Sequence, residues 1–186
     1  MPGDTPAKNT PVVSRRLFNH LQISSLQEDL LFFFAAVLAV SVLFHLGIFV
    51  TGPGHDPVGS HLLLGMVFGA FGIVQSLVTW TVILLGVSLI EHFFLLFVDA
   101  HQGFERTMKS VIYALLPIVL FWWAVAVMKV PAAGPLLLLC FALITYFGIC
   151  VFHDISKDRA AFASLATSAA VLVLFSRWIV GPAFGL

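Results

Sequence analysis

The feature that most constrains this chain is a long apolar run that contains one carboxylate. No charged residue occurs from Leu62 to Ile90, and Glu91 and His92 then interrupt the run before it continues to Val98. About 18 uncharged apolar residues already mark a transmembrane helix, so the run indicates lipid as its solvent. A carboxylate within such a helix costs on the order of 2–3 kcal/mol by insertion scales. The presence of Glu91 therefore indicates that the carboxylate has a structural or functional role there.

The composition agrees with a membrane protein that crosses the bilayer several times. Hydrophobic residues make up 60% of the chain and charged residues 10%, whereas a soluble domain carries about 25% charged residues. The expected fold class is therefore all-α and polytopic, with the lipid bilayer as the main partner. The formal net charge is zero, so no attraction to nucleic acid is expected.

Five transmembrane helices are predicted, separated by charged or turn-forming segments. They cover residues 30–50, 62–98, 104–128, 136–152 and 160–178, within a transmembrane domain of residues 30–186. Residues 1–29 are predicted as a polar N-terminal arm, which from about residue 12 is either an interfacial amphipathic helix or a partly ordered tail. The second helix would be about 55 Å long if straight. It should therefore tilt, kink or include a re-entrant part.

Two helices carry predicted points of bending. Gly65, Gly69 and Gly72 are the softest points of the second helix, and the pair at 65 and 69 also fits close helix packing. In the third helix, Tyr113 and Pro117 form a candidate hinge, because proline removes a hydrogen bond from the helix interior. A static kink that only shapes the packing is the alternative.

The distribution of basic residues predicts the orientation. With five crossings, one side of the membrane holds Lys8, Arg15, Arg16, Arg106, Lys109, Lys157 and Arg159. The other side holds Lys129, with Arg177 at a helix end. The positive-inside rule then places the N-terminus in the cytoplasm and the C-terminus outside.

Two segments resemble those of Yip1-domain proteins. Gln102–Thr107 leads into Val111–Pro117, which is similar to the family segment in which glycine and phenylalanine precede a helix with a Tyr-x-x-x-Pro pattern. Tyr146–Ile149 and His153–Ala160 resemble the family's fourth helix and its entry to the fifth. The family's Asp-Leu-Tyr-Gly-Pro motif does not occur in this sequence.

The resemblance, over roughly residues 30–180, carries its own expectations. It implies five transmembrane helices with a cytoplasmic N-terminus, and it brings no catalytic residues. Eukaryotic members act in vesicle trafficking with small GTPases. In size this chain is similar to the prokaryotic members, so the expected location is a prokaryotic cytoplasmic (inner) membrane.

Polar residues that could carry chemistry fall into two groups. The outer group comprises His45, His55, Asp56 and His61. The candidate ion or proton site on the cytoplasmic side comprises Glu91, His92, Asp99, His101, His153 and Asp154. Imidazole and carboxylate can together hold a divalent metal, but neither group has a tight ligand spacing, so no cofactor is expected. The alternative for both groups is solvated residues at a membrane interface.

Glu91 has two readings. It could relay an ion or proton together with His153, or it could be a structural latch that joins the second helix to the fourth. The carboxyl group itself could be protonated, paired with His153 or Lys109, or open to a water-filled crevice. The expected function is that of a non-enzymatic membrane protein, which acts in membrane organisation or through a membrane or cytoplasmic protein partner, self-association included. The alternatives are a small ion, proton or metal transporter or channel and, further off, a zinc-dependent membrane hydrolase.

Overall fold

The computed structural model describes residues 24–51, 60–100, 102–126 and 132–179. Within these ranges the chain forms five α-helices and no strand. The helices are α1 (Leu26–Thr51), α2 (Ser60–Phe97), α3 (Phe104–Ala126), α4 (Ala133–Phe152) and α5 (Lys157–Ile179). The all-α class expected from the sequence is confirmed.

Three of the helices are long and apolar enough to cross a membrane. The qualifying segments are Leu26–Gly47 of α1, Gly65–Phe97 of α2 and Ala133–Phe152 of α4. Large apolar side chains such as Phe68 and Phe71 are about two-thirds exposed on α2. Exposed apolar surface of this extent needs an apolar partner. These helices indicate an integral membrane protein.

The first helix begins earlier than the sequence pattern suggested. Leu26 starts α1, so the last residues of the predicted polar arm belong to a helix. The Ser25 amide donates to the Glu28 carboxylate at 3.0 Å, and the Glu28 amide donates to the Ser25 hydroxyl at 3.2 Å. This reciprocal pair is a capping box, which satisfies two free amides at a helix start. A pattern of apolar residues does not reveal this helix start, because the capping residues are polar.

The predicted second helix is one uninterrupted α-helix, α2. It ends in a Schellman motif, in which the Ala100 amide donates to the Leu95 carbonyl at 3.0 Å and the Asp99 amide to the Leu96 carbonyl at 3.3 Å. Asp99 has a φ of 58°, the left-handed conformation that usually favours glycine at this position. The motif turns the chain sharply towards α3.

Helix α3 is central to the packing, because it contacts α1, α2 and α4. Its residues Val111, Ile112 and Leu115 are buried in the main apolar cluster, together with Phe33 of α1 and Phe141 of α4. Helix α5 packs against α4 and α2. The core is therefore shared by all five helices, with α3 linking the first two to the fourth.

Two glycines allow the closest helix approaches. A Cβ on Gly148 of α4 would stand 2.5 Å from the Ser110 hydroxyl of α3, and a Cβ on Gly72 of α2 would overlap the His45 ring of α1. By contrast, nothing lies within 4 Å of such an atom on Gly69. The expectation that Gly69 mediates close packing is therefore wrong within this chain.

Several helix ends meet on one side of the bundle, which we call the loop end (residues 24–25, 98–100, 102–103 and 153–156). The Arg106 guanidinium donates to the Phe152 carbonyl at 3.0 Å, and that of Arg159 donates to the Val98 carbonyl at 3.1 Å. The Lys109 ammonium donates to the Ser24 carbonyl at 2.5 Å. Basic side chains thus satisfy carbonyls that helix ends and loops leave free.

The last two helices also begin before their apolar runs. Helix α4 starts at Ala133 and not at Leu136, and it includes Pro135 in its first turn, where the missing N–H costs nothing. Helix α5 starts at Lys157 and not at Ala160. Asp154, with a φ of 49°, follows the last turn of α4.

Candidate functional site

Two histidines of the predicted cytoplasmic site meet at one hydroxyl. His92 Nδ1 lies 3.2 Å from the Thr107 hydroxyl, and His153 Nε2 lies 3.4 Å from the same oxygen. The three residues come from α2, from α3 and from the end of α4. Thr107 is fully buried and His153 is 1% exposed, so this contact is inside the bundle.

The shared hydroxyl couples the two rings. A threonine hydroxyl has a single proton, so it can donate to one imidazole only, and it can accept from the other. A change of tautomer at His92 therefore favours the complementary tautomer at His153. The His92 ring also stands edge-on to Phe104, with the ring centroids 5.5 Å apart, which fixes its orientation.

His153 is held neutral at neutral pH. Burial, together with the nearby positive charge of Arg106 and with His92, lowers the pKa of His153 from 6.5 to about 4. Its Nδ1 atom has no hydrogen-bond partner among the described residues. A neutral imidazole with one free nitrogen can either accept or donate a proton, depending on its tautomer.

Glu91 is the most isolated polar group of the predicted site. Its side chain is fully buried, and neither carboxylate oxygen has a hydrogen-bond partner within the described part of the chain. The Ser110 hydroxyl is the polar group that interacts with it, but their geometry falls short of a hydrogen bond. The two residues predicted to pair with Glu91 have other contacts. His153 contacts Thr107, and Lys109 pairs with Asp29.

The remaining predicted site residues do not join this group. Asp99 and Asp154 are exposed, and each follows the end of a helix in the left-handed conformation. Their residue type fits that role, because aspartate tolerates this conformation better than most residues. His101 lies outside the described residues.

A buried carboxylate that the sequence interpretation missed is Asp29. It accepts a hydrogen bond from the Tyr113 hydroxyl at 2.6 Å and from the Ser24 hydroxyl at 3.0 Å. The Lys109 ammonium lies 4.0 Å from it. The sequence pattern places Asp29 in the polar arm, because it precedes the apolar run. The capping box beginning at Ser25 was the signal that could have placed it inside a helix.

The candidate hinge residues contribute to this Asp29 network. The Tyr113 ring stacks on Phe152 at 6.4 Å between centroids, with 13° between the ring planes. Pro117 lies inside α3, which continues to Ala126. Because proline has no amide hydrogen, the Tyr113 carbonyl lacks its usual donor in the helix. Tyr113 therefore ties α3 to α1 and α4 at the point where its own helix is weakened.

A cleft of about 550 Å³ opens at the loop end. It is lined by Gln102, Gly103, Phe104, Glu105, Arg106, Lys109 and Phe152. Its walls combine both charge signs with two aromatic rings. Gln102 and Glu105 are exposed at this surface, and the Gln102 side-chain oxygen accepts a hydrogen bond from the Arg106 guanidinium.

No three His, Cys, Asp or Glu side chains come together to hold a metal ion in the described ranges. Of the outer group, His45 lies on α1 with its Nδ1 2.8 Å from the Ser41 carbonyl. His55 and Asp56 lie outside the described residues, as does the side chain of His61. Comparison with protein-family models, with curated proteins and with solved structures gives no match.

Proposed function

We propose that this chain is a non-enzymatic membrane protein with five spans that acts in membrane organisation through a protein bound at its loop end. The observation that carries the proposal is the cleft at that end, where Gln102 and Glu105 are exposed beside basic side chains that already hold the helix ends together. A polar surface at the end of an apolar bundle suits recognition of another protein. The Yip1-like segments of the sequence agree with such a role.

The proposed orientation places the loop end in the cytoplasm of a prokaryotic cell. Arg106 and Lys109 lie in the first two turns of α3, and Lys157 and Arg159 lie in the first turn of α5, next to the loop end. The positive-inside rule favours the cytoplasm for such a cluster. The partner is then a cytoplasmic protein, a membrane protein with a cytoplasmic face, or a second copy of this chain.

Site-specific photocrosslinking in living cells tests this proposal. A photoreactive amino acid at Gln102 or Glu105 should give a discrete protein adduct, which mass spectrometry identifies as another protein or as a second copy. The same amino acid at Val78, which is 59% exposed on the apolar surface of α2, is the matched control and should react with lipid. Equal adduct patterns at all three positions would contradict a partner at the loop end.

A further inference from the structure

The interior of the bundle contains polar atoms that satisfy no hydrogen bond among the described residues. Each belongs to a buried side chain. They are the hydroxyls of Ser88, Ser110, Thr145, Thr167 and Ser168, both carboxylate oxygens of Glu91, and His153 Nδ1. Buried polar groups are normally paired with protein or with ordered water. Unpaired groups of this kind inside an apolar bundle are the positions where bound water or another polar ligand is expected.

Ser110 is the centre of this set. Its hydroxyl lies 2.5 Å from the position that a Cβ on Gly148 would take, so it fills a notch in α4, and it is the polar neighbour of Glu91 on α2. Ser88 precedes Glu91 by three residues and Thr145 precedes Gly148 by three, and residues so spaced share a helix face. Ser88 therefore lies one turn before Glu91 on the same face of α2, and Thr145 lies one turn before the notch in α4 that Ser110 fills.

The set continues to the loop end. Thr107 precedes Ser110 by three residues on α3, and its hydroxyl contacts both His92 and His153. His92 is also the sequence neighbour of Glu91. Hydroxyl, imidazole and carboxyl groups therefore follow one another from the end of α4 to the interior of α2.

The charged groups of the neighbouring helices are engaged elsewhere. On α3, Lys109 contacts Ser24 and Asp29, and Arg106 contacts the Phe152 carbonyl. Arg159 of α5 contacts the Val98 carbonyl. On α1, Asp29 accepts a hydrogen bond from the Tyr113 hydroxyl. Tyr113 is a further titratable residue of α3. The buried polar residues described on α5 are Ser164, Thr167 and Ser168, none of which is charged.

An ionised carboxyl group in this position would therefore lack a compensating cation. An uncompensated buried charge costs several kcal/mol, and a carboxyl group avoids that cost by taking up a proton. A protonated carboxyl group also becomes a donor, which a neighbouring hydroxyl can accept.

We propose that Glu91 is a proton-binding site, which carries its proton within the membrane and exchanges it with the loop end through Ser110, Thr107 and the two histidines. Water held by the unpaired hydroxyls completes the path. The site goes beyond the proposed partner function, because it lies in the helix interior and needs no bound protein. The ligand is the proton itself.

Carbodiimide labelling tests the protonation of Glu91. Dicyclohexylcarbodiimide reacts with protonated carboxyl groups in apolar surroundings, so the full chain in phosphatidylethanolamine and phosphatidylglycerol vesicles should be labelled at neutral pH. Peptide mass spectrometry should find the adduct on Glu91 and not on Glu28 or Glu105, which are exposed. The Glu91→Gln variant should lack this adduct. Absence of label on Glu91 in the wild-type chain would overturn the proposal, as would protection by added sodium at constant pH, which indicates a cation site.

Infrared spectroscopy tests the path independently. The wild-type chain should show the C=O stretch of a protonated carboxylic acid, and Glu91→Gln should lack it. After transfer to D₂O, the shift of this band should be slower in Thr107→Val than in the wild type. Thr79→Val, on the exposed surface of α2, is the matched control and should exchange at the wild-type rate. Equal rates in the two variants would contradict the path through Thr107.

Discussion

At the scale of single residues, chemistry depends on what each polar group contacts and not on where it falls in the sequence. Glu91 and Asp29 are both buried carboxyl groups. Asp29 accepts hydrogen bonds from two hydroxyl groups and lies near Lys109. Glu91, by contrast, has no hydrogen-bond partner among the described residues. The first suits a permanent structural contact. The second suits a group that changes its protonation.

The lowered pKa of His153 predicts a pH dependence of stability. In the unfolded chain its pKa is 6.5, and in the folded chain about 4, so between these values the unfolded state binds more protons. The contribution of His153 to stability is therefore complete above pH 6.5 and is lost as the pH falls towards 4.

Thermal unfolding in detergent at several pH values measures this effect. The wild-type midpoint should fall more steeply between pH 6.5 and 4 than that of His153→Gln, which retains a nitrogen near Thr107 but does not titrate. The difference between the two curves removes the contribution of the other acidic groups. Parallel curves would show that folding does not lower the pKa of His153.

At the scale of helices, polar contacts hold the bundle together where small residues bring it closest. Gly148 accommodates Ser110, and Tyr113 ties α3 to Asp29 of α1. Apolar patterning predicted that these helices exist, because runs without charge are visible in the sequence. It did not predict their polar first turns or the residue that each glycine accommodates, since both depend on neighbours distant in the chain.

A methyl group at position 148 should separate α3 from α4. In Gly148→Ala the new Cβ would lie 2.5 Å from the Ser110 hydroxyl and 3.2 Å from its Cβ, and overpacking of this kind costs about 1–3 kcal/mol. Gly86→Ala is the control, because nothing lies within 4 Å of its new Cβ and alanine favours a helix by about 1 kcal/mol. Chemical denaturation in mixed micelles compares them. Adding Ser110→Ala to Gly148→Ala should recover part of the loss.

The Tyr113–Asp29 contact should contribute measurably to the free energy of unfolding. Tyr113→Phe removes a hydrogen bond to a charged acceptor, which is worth roughly 1.5–3 kcal/mol. A double-mutant cycle with Asp29→Asn isolates the contact, and we expect a coupling energy of about 1 kcal/mol or more. Strictly additive losses would show that the two side chains act independently.

At the scale of the whole molecule, the described helix ends at the loop end define one face. The contacts Arg106–Phe152 and Arg159–Val98 bring the chain segments around residues 100 and 155 together. The same two segments were assigned to one side of the membrane from their basic residues. In the function we propose, this face lies in the cytoplasm and all five helices cross the membrane.

Cysteine accessibility tests the proposed topology. In a chain with Cys140→Ser and Cys150→Ser, single cysteines at Glu105 and Asp154 should react with a membrane-impermeant maleimide only after the cells are permeabilised. Both positions are exposed at the loop end, so they should behave alike. A cysteine at Val78 within α2 should stay unlabelled in both conditions. Labelling of Glu105→Cys in intact cells would reverse the orientation.

The length of α2 has a consequence for where this protein resides in a membrane. Its apolar segment of 33 residues is about 50 Å long. Even at a tilt of about 40°, the upper end of what transmembrane helices show, it would extend roughly 38 Å along the bilayer normal, against a hydrocarbon core of about 30 Å. Thickening of the surrounding bilayer is one way to cover the excess, at a modest cost. Long-chain lipids lower that cost, so the chain should concentrate in the thicker regions of its membrane and thicken the bilayer around itself.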